Sequence, residues 1–322
     1  LNLITDIPGI RVGHATDERV ASGVTTMLIE DGWSAGVDIR GGGPGVRETA
    51  ALEPENLVGR AHAIVFSGGS VFGLAAADGV AAVLSARGIG LAIRPGTPRV
   101  PIVPAAVLYD LANDGDKNWG SLPPYRDLGI ASVEAAAAEF ALGSVGAGRG
   151  AMAGLIKGGL GSASIDLGDG LIVGALVAAN PVGSVLMPDG RTYWAWPFEI
   201  DGEYGGSVPA GPAAAHDPVP ADSRLAERGR AEAGANTTIA IVAAAAALTT
   251  AECKRVAMMA QDGLARAIRP AHTPMDGDTI FAVAAGMALP DAGPERAWSV
   301  ARIGSAAADC LARAIARAVH HA

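Results

Sequence analysis

The sequence predicts an α/β or α+β chain built around one continuous core. Three observations point there. Strand-like apolar runs and amphipathic helical runs intermingle along all 322 residues instead of segregating into halves. Half of the residues are hydrophobic and only 18% are charged, which is enough apolar material for a large core. Forty-four glycines with only 4% aromatics imply tight turns, close backbone packing and a core of Ala, Val, Ile and Leu.

Taken in order, residues 61–67 (AHAIVFS) read as a buried strand. Ser70 follows as an N-cap for a helix to about Arg87, which Gly88 stops. Residues 100–111 begin as an extended, proline-limited segment, and the alanine-rich stretch 132–142 reads as a helix. Residues 171–179 (LIVGALVAA) read as a second buried strand ending at Asn180-Pro181. Breakers crowd residues 197–221, a surface excursion, and a charged short helix is expected over 222–232. Residues 238–247 read as a strand. Thr249-x-x-Glu252 is then a capping box for a helix with apolar positions Cys253, Val256, Ala260, Leu264 and Ala267, stopped by Pro270. A strand over 279–286 and an amphipathic helix over 299–319 close the chain. The excursion reads as an insertion, so one domain over 1–322 is expected.

A net charge of −9 and a pI near 5.1 argue against nucleic acid or an anionic membrane surface as partner. The first residues hold no basic segment followed by an apolar one, and no apolar run approaches the ~18 residues of a membrane span. Two cysteines, Cys253 and Cys310, both in helical patterns, suggest no disulfide framework; a cytoplasmic protein is the expectation.

Familiar catalytic and cofactor motifs fit poorly. Gly146-Ala-Gly148-Arg-Gly150 misplaces the third glycine of a dinucleotide loop and follows no strand. Gly68-Gly69-Ser70-Val71-Phe72-Gly73 is out of register for a nucleophile elbow. The histidines (His14, His62, His216, His272, His320 and His321) lack metal-ligand spacing, so neither metal nor cofactor is expected. Tyr193-Trp194-Ala195-Trp196 reads as a hydrophobic hairpin segment before it reads as an aromatic wall.

The run that remains is Ala231-Glu-Ala-Gly-Ala-Asn236-Thr237-Thr238-Ile-Ala-Ile-Val242. A small-residue loop meets a β-type strand at Asn236-Thr237. A cut there would free a threonine carrying both a hydroxyl nucleophile and an α-amine base. Such an amine has a pKa of about 7.7–8 in model peptides, so it accepts a proton near neutrality. An ordinary turn feeding a strand explains the same tripeptide. An N-terminal nucleophile also needs oxyanion donors and orienting charges. Lys157 lies in a glycine-dense apolar stretch, Asn180 at a strand end, and Tyr109 in Ala-Val-Leu-Tyr-Asp110. Asp276 and Asp278 are spaced to point the same way in an extended backbone, toward one ammonium or one substrate amine. Singly, each has an ordinary alternative: a snorkelling lysine, a turn-capping asparagine, a polar turn.

These residues come together by resemblance. Gly36-Val-Asp-Ile-Arg40-Gly-Gly-Gly43, Ser67-Gly-Gly-Ser-Val-Phe-Gly-Leu74, Ala106-Val-Leu-Tyr-Asp110, the Lys157 stretch and Asn180-Pro-Val-Gly183 occur in one order. They precede the Ala231–Val242 run and Arg269-Pro-Ala-His272-Thr-Pro-Met-Asp276-Gly-Asp278-Thr279. The whole resembles the DmpA-type self-processing aminopeptidases, nearest their nylon-oligomer (6-aminohexanoate-oligomer) hydrolase branch. The aminopeptidase branch carries serine as nucleophile and Ser-x-Glu in place of Asp-Gly-Asp, which turns the resemblance toward the nylon branch.

The resemblance implies a four-layer αββα sandwich of N-terminal-nucleophile type and autocleavage between Asn236 and Thr237 into fragments 1–236 and 237–322. It implies Thr237 as nucleophile, with Lys157, Asn180, Tyr109, Asp276 and Asp278 in the active site, and a homotetramer of cleaved protomers. The implied activity is hydrolysis of small linear amides through an acyl-enzyme. An L-aminopeptidase or β-aminopeptidase acting on short peptides, or an acyltransferase of the ornithine acetyltransferase type, would use the same residues.

Overall fold

The computed structural model describes residues 2–211, 217–226 and 236–322. Among the described residues, eleven strands and four α-helices follow one another as β1 (Arg11–Asp17), β2 (Ser22–Ile39), β3 (Val46–Arg47), β4 (Arg60–Ser67), α1 (Ala76–Ala86), β5 (Ala105–Val107) and α2 (Tyr125–Glu134). Then come β6 (Met152–Ala153), β7 (Ile156–Lys157), β8 (Gly159–Asp166), β9 (Ile172–Asn180), β10 (Thr237–Ala246), α3 (Thr250–Ala267), β11 (Thr279–Met287) and α4 (Pro294–His320).

The main sheet runs β3-β5-β4-β2-β11-β10-β9-β8, with β1 paired to β2; β6 and β7 form a separate ribbon. β10 is parallel to β11 and antiparallel to β9, and β4 is parallel to β5. The long β2 joins the two halves. Its first half pairs with β1 and β4, its second with β11, and the register shifts between Leu28 and Trp33. Such a bulge bends a strand. Here it folds the sheet over: Phe66 of β4 shares one buried cluster with Leu176 of β9 and Ile241 of β10, strands that lie far apart along the pairing order.

Three apolar clusters make four layers. The middle one lies between the two sheet halves. A second packs the outer face of β9, β10 and β11 on α3 and α4, and a third packs β2, β4 and β5 on α1 and α2. β10 shows how the sequence achieves this. Ile239, Ile241 and Ala243 enter the middle cluster, while Ala240, Val242 and Ala244 face α3 and α4. A strand buried on both faces reads as a near-continuous apolar run. Small residues let the layers meet at backbone distance: a Cβ on Gly161 of β8 would lie 1.9 Å from the Ala314 carbonyl oxygen of α4. The αββα layering implied by the resemblance is the architecture observed.

The strands expected over 61–67, 171–179, 238–247 and 279–286 are β4, β9, β10 and β11. The Thr249 capping box forms in both directions, with Glu252 N–H donating to Thr249 Oγ1 at 3.2 Å and Thr249 N–H to Glu252 Oε2 at 2.8 Å. The last helix is longer than expected, beginning at Pro294.

Two expected helix features differ. The alanine-rich stretch 132–142 is not a helix: α2 ends at Glu134, and Ala137 instead exchanges backbone hydrogen bonds with Val12 of β1. Sheet pairing there outweighs local helix propensity. Ser70 does not cap α1. It sits at φ 52° and opens a 3-10 segment, Ser70–Ala75, because Asp110 holds the Gly69 N–H and the Leu108 carbonyl holds that of Ser70. Of the helix expected over 222–232, a 3-10 turn at Arg224–Ala226 is described, and the rest lies outside the described residues. Much of the 197–221 excursion is described, but His216 is not. Among the described residues no helix is long and apolar enough to cross a membrane.

Candidate active site

The sequence motifs converge at one end of β9, β10 and β11. Thr237, the first residue of β10, pairs with Asn180, the last of β9. On the other side Asn236 bridges to Asp276, just before β11. The Gly277 N–H donates to the Asn236 carbonyl oxygen at 2.9 Å, and the Thr237 hydroxyl donates to that same oxygen. Gly277 has to lack a side chain, since a Cβ there would lie 2.6 Å from Thr237 Oγ1.

Asp276 and Asp278 are both 1% exposed and do not share one target. Asp276 accepts the Val182 N–H at 3.0 Å through Oδ1, and the Thr273 N–H and hydroxyl at 3.1 and 2.7 Å through Oδ2. Asp278 accepts the Thr238 N–H at 2.9 Å through Oδ1, and the N–H and Nδ1 of His272 through Oδ2, both at 2.9 Å. In this structure the two carboxylates hold different donors, Asp276 those of Val182 and Thr273 and Asp278 those of Thr238 and His272, although Asp276 lies opposite Asn236 in the register that continues to Ile239 and Thr279. Burial, reinforced by the Asp278 carboxylate, raises the Asp276 pKa. The Arg40–Gly43 motif packs beneath this loop, with the Gly43 N–H on the Asp276 carbonyl at 2.8 Å and the Arg40 N–H on that of Asp278 at 3.0 Å.

Asn180 has a defined amide orientation. Oδ1 accepts the Met152 N–H at 2.9 Å, so Nδ2 is the end turned toward Tyr109, whose main-chain carbonyl lies 3.4 Å away. Lys157 projects its ammonium among the carbonyls of Gly148, Arg149, Ala151 and Gly158 at 2.9–3.3 Å. Burial, with the Arg149 charge adding to it, lowers its pKa to about 8. The ammonium thus holds the loop that leads to Met152, one step removed from Asn180.

Thr237 and Tyr109 line one cleft of about 360 Å³. Its walls come from Pro44, Val46, Val71, Leu74 and Val107, with Ser70 at the left-handed turn. Among the described residues lining it there is no charged side chain.

Three participants escaped sequence reasoning. The Gly277 N–H is a main-chain group that no residue type advertises. Asp110, next to Tyr109, is buried and fixes the Gly69 turn at 2.7 Å, with burial raising its pKa. Arg224, in a stretch that reads as a charged surface helix, inserts its guanidinium behind Asn180. Burial lowers its pKa to about 10, against the opposing pull of Asp276.

The sequence profile of peptidase family S58 matches residues 2–322. The chain belongs to this family. It is 44% identical over 338 residues to an uncharacterized aminopeptidase of Mycobacterium tuberculosis (strain ATCC 25618 / H37Rv), covering 100% of this chain and 94% of that one. It is 33% identical over 287 residues to a 6-aminohexanoate-oligomer endohydrolase of Kocuria sp. (strain KY2), covering 86% of this chain and 73% of the relative. Among solved structures, a Burkholderia sp. beta-aminopeptidase superposes with a TM-score of 0.68 at 24% identity over 98% of this chain and 86% of that one. The L-aminopeptidase D-Ala-esterase/amidase of Ochrobactrum anthropi, a variant of the Ntn hydrolase fold, gives 0.68 at 21% identity, over 98% and 85%. This S58 chain is an amide-bond hydrolase by family, with an Ntn-type fold.

Proposed function

We propose that this S58 hydrolase cuts itself between Asn236 and Thr237 and then uses Thr237 as an N-terminal nucleophile on small linear amides such as 6-aminohexanoate oligomers. One observation carries the reading: the Thr237 hydroxyl and the Gly277 N–H both meet the Asn236 carbonyl oxygen. A nucleophile beside the carbonyl and a donor on its oxygen are what an acyl shift requires.

In the precursor, Thr237 Oγ adds to the Asn236 carbonyl carbon and gives up its proton. The Gly277 N–H supports the charge that develops on the oxygen. The C–N bond breaks, the amine takes a proton, and an ester joins Asn236 to Thr237 Oγ. Water hydrolyses the ester, leaving the Asn236 carboxylate and a free Thr237 amine. In the mature enzyme that amine takes the hydroxyl proton as Oγ attacks a substrate amide, and the departing amine takes a proton. Water then releases the acid and restores the hydroxyl. Asn180, paired with Thr237 and with Nδ2 turned toward the Tyr109 carbonyl, is the side-chain donor for the substrate oxyanion, with Tyr109 beside it on the cleft wall. Losing one such donor typically costs ~10²–10³ in kcat. Asp276 and Asp278 fix the loops around the cut, and Lys157 fixes the loop behind Asn180.

The uncharged cleft supports a linear amide whose ammonium lies several carbons from the scissile bond. An aminopeptidase reading, favoured by the names of the 44%-identical relatives, requires an ammonium beside that bond. Comparing kcat/KM on 6-aminohexanoate oligomers and amino-acid p-nitroanilides separates the two. The single domain of two fragments and the homotetramer implied by the resemblance, and the cytoplasmic location suggested by the two cysteines, belong to this same proposal. Intact mass is the primary test: wild type should give fragments 1–236 and 237–322, and Thr237→Ala one chain. A single uncut wild-type chain would overturn it.

A further inference from the structure

Arg224 lies twelve positions before the proposed cut, on the fragment that does not carry Thr237. Its backbone N–H donates to the Val182 carbonyl at 2.9 Å. Its Nη2 reaches the carbonyls of Met152 at 2.7 Å, Pro181 at 2.9 Å and Asn180 at 3.2 Å, and Asn180 Oδ1 at 3.4 Å. Neighbouring Asp222 ties the same segment down, its carbonyl accepting the Leu155 N–H at 2.9 Å and its carboxylate the Ser184 hydroxyl. One guanidinium therefore gathers the strand end that carries Asn180 and the residue, Met152, whose N–H holds the Asn180 amide.

We infer that Arg224 is a positioning residue for the amide hydrolysis, holding the Asn180 side chain with Oδ1 on the Met152 N–H and Nδ2 turned toward Tyr109, a residue of the cleft wall. The inference rests on the proposed role of Thr237 and Asn180 and adds a residue to it. Arg224 is not among the residues lining the cleft with Thr237. Its effect passes through Asn180. A neutral amide has two ends of opposite hydrogen-bond character, and only the NH₂ end can donate to an oxyanion. The Met152 N–H meets Oδ1 from one side and the guanidinium meets it from the other. Removing the guanidinium takes one donor from the carbonyls of Met152, Asn180 and Pro181, of which Pro181 keeps the Gly154 N–H, and lets the strand end relax; displacements of about 1 Å at such a site cost on the order of 10²-fold in rate.

The test is a double-mutant cycle between Arg224→Met and Asn180→Ala, read as the rate of self-cleavage of the precursor and as kcat and KM of processed enzyme on a 6-aminohexanoate oligomer. Arg224→Met in the wild-type background should lower kcat about 10²-fold with KM nearly unchanged, and Arg224→Lys should restore part of that loss. In the Asn180→Ala background Arg224→Met should cost little more, because its target is gone. Equal losses in both backgrounds, or a loss confined to KM, overturn the inference. So does an Arg224→Met protein with wild-type kcat. Thermal melts identify any variant that fails to fold, and Arg224→Lys then carries the comparison. Wild type and Thr237→Ala run alongside. If both stay uncut and equally active, the reading of the site fails; if only the cycle fails, Arg224 alone loses its role.

Discussion

Asp278 holds the backbone of Thr238, its Oδ1 accepting that N–H at 2.9 Å while its Oδ2 is taken by His272. The residue after the proposed nucleophile is thus fixed by a carboxylate with both oxygens occupied. In Asp278→Asn, one of the flanking N–H donors must face an NH₂ group. A buried group left unpaired costs about 1–3 kcal/mol. The variant should melt several degrees lower and cleave itself at least about tenfold more slowly. A melt and a processing time course equal to wild type would remove Asp278 from the site.

Gly277→Ala should stop processing. Its Cβ would come 2.6 Å from Thr237 Oγ1 and 2.9 Å from the Gly43 carbonyl oxygen. Either the hydroxyl leaves the Asn236 carbonyl or the loop shifts and takes its N–H away. Intact mass of the purified variant should show one chain, with circular dichroism unchanged. A variant that processes at the wild-type rate contradicts the assignment of this N–H.

Lys157 sets a pH dependence of stability. Its folded pKa of about 8 lies below the ordinary lysine value of about 10.4. Between the two, the unfolded chain holds a proton that the folded one has released, so wild-type stability rises with pH across this window. Lys157→Met lacks this gain. Denaturant midpoints of the two proteins should keep a constant difference below about pH 8 and shift in favour of wild type from pH 8 to 10. A difference that stays flat to pH 10 would show that the lysine is not depressed.

Gly161→Ala tests the contact between layers. The added methyl would press on the Ala314 carbonyl at 1.9 Å, so β8 and α4 must separate. Overpacking of this kind costs typically 1–3 kcal/mol. A lower melting temperature with unaltered kinetics on processed enzyme is expected; an unchanged melt would mean that the layers yield freely.

The apolar runs were legible because burial writes itself into sequence: β4, β9, β10 and β11 are near-continuous apolar runs rich in Ala, Val and Ile. β2 was not legible. Glu30-Asp31-Gly32 looks like a turn, yet it is the bulge of an eighteen-residue strand, and the second half of that strand pairs with β11, far away in sequence. The 132–142 stretch misled for the reverse reason, its helix propensity yielding to a pairing with β1. At the site, residue types with obvious chemistry stood out, and the motif order gathered them. Gly277 works through its backbone and Arg224 through carbonyls, and neither leaves a pattern in one sequence.

β10 is flanked by β9 from one proposed fragment and β11 from the other. Severing the chain at its first residue would break no rung of the ladder that holds it. The folded protein would hardly register the loss, but the unfolded one would. Before the cut, unfolding and refolding are unimolecular; afterwards two polypeptides must find each other again. Mature enzyme should therefore have a melting point that depends on its concentration more steeply than that of the uncut Thr237→Ala chain. The fold would be a one-way assembly, reached as a single chain and then kept as a pair.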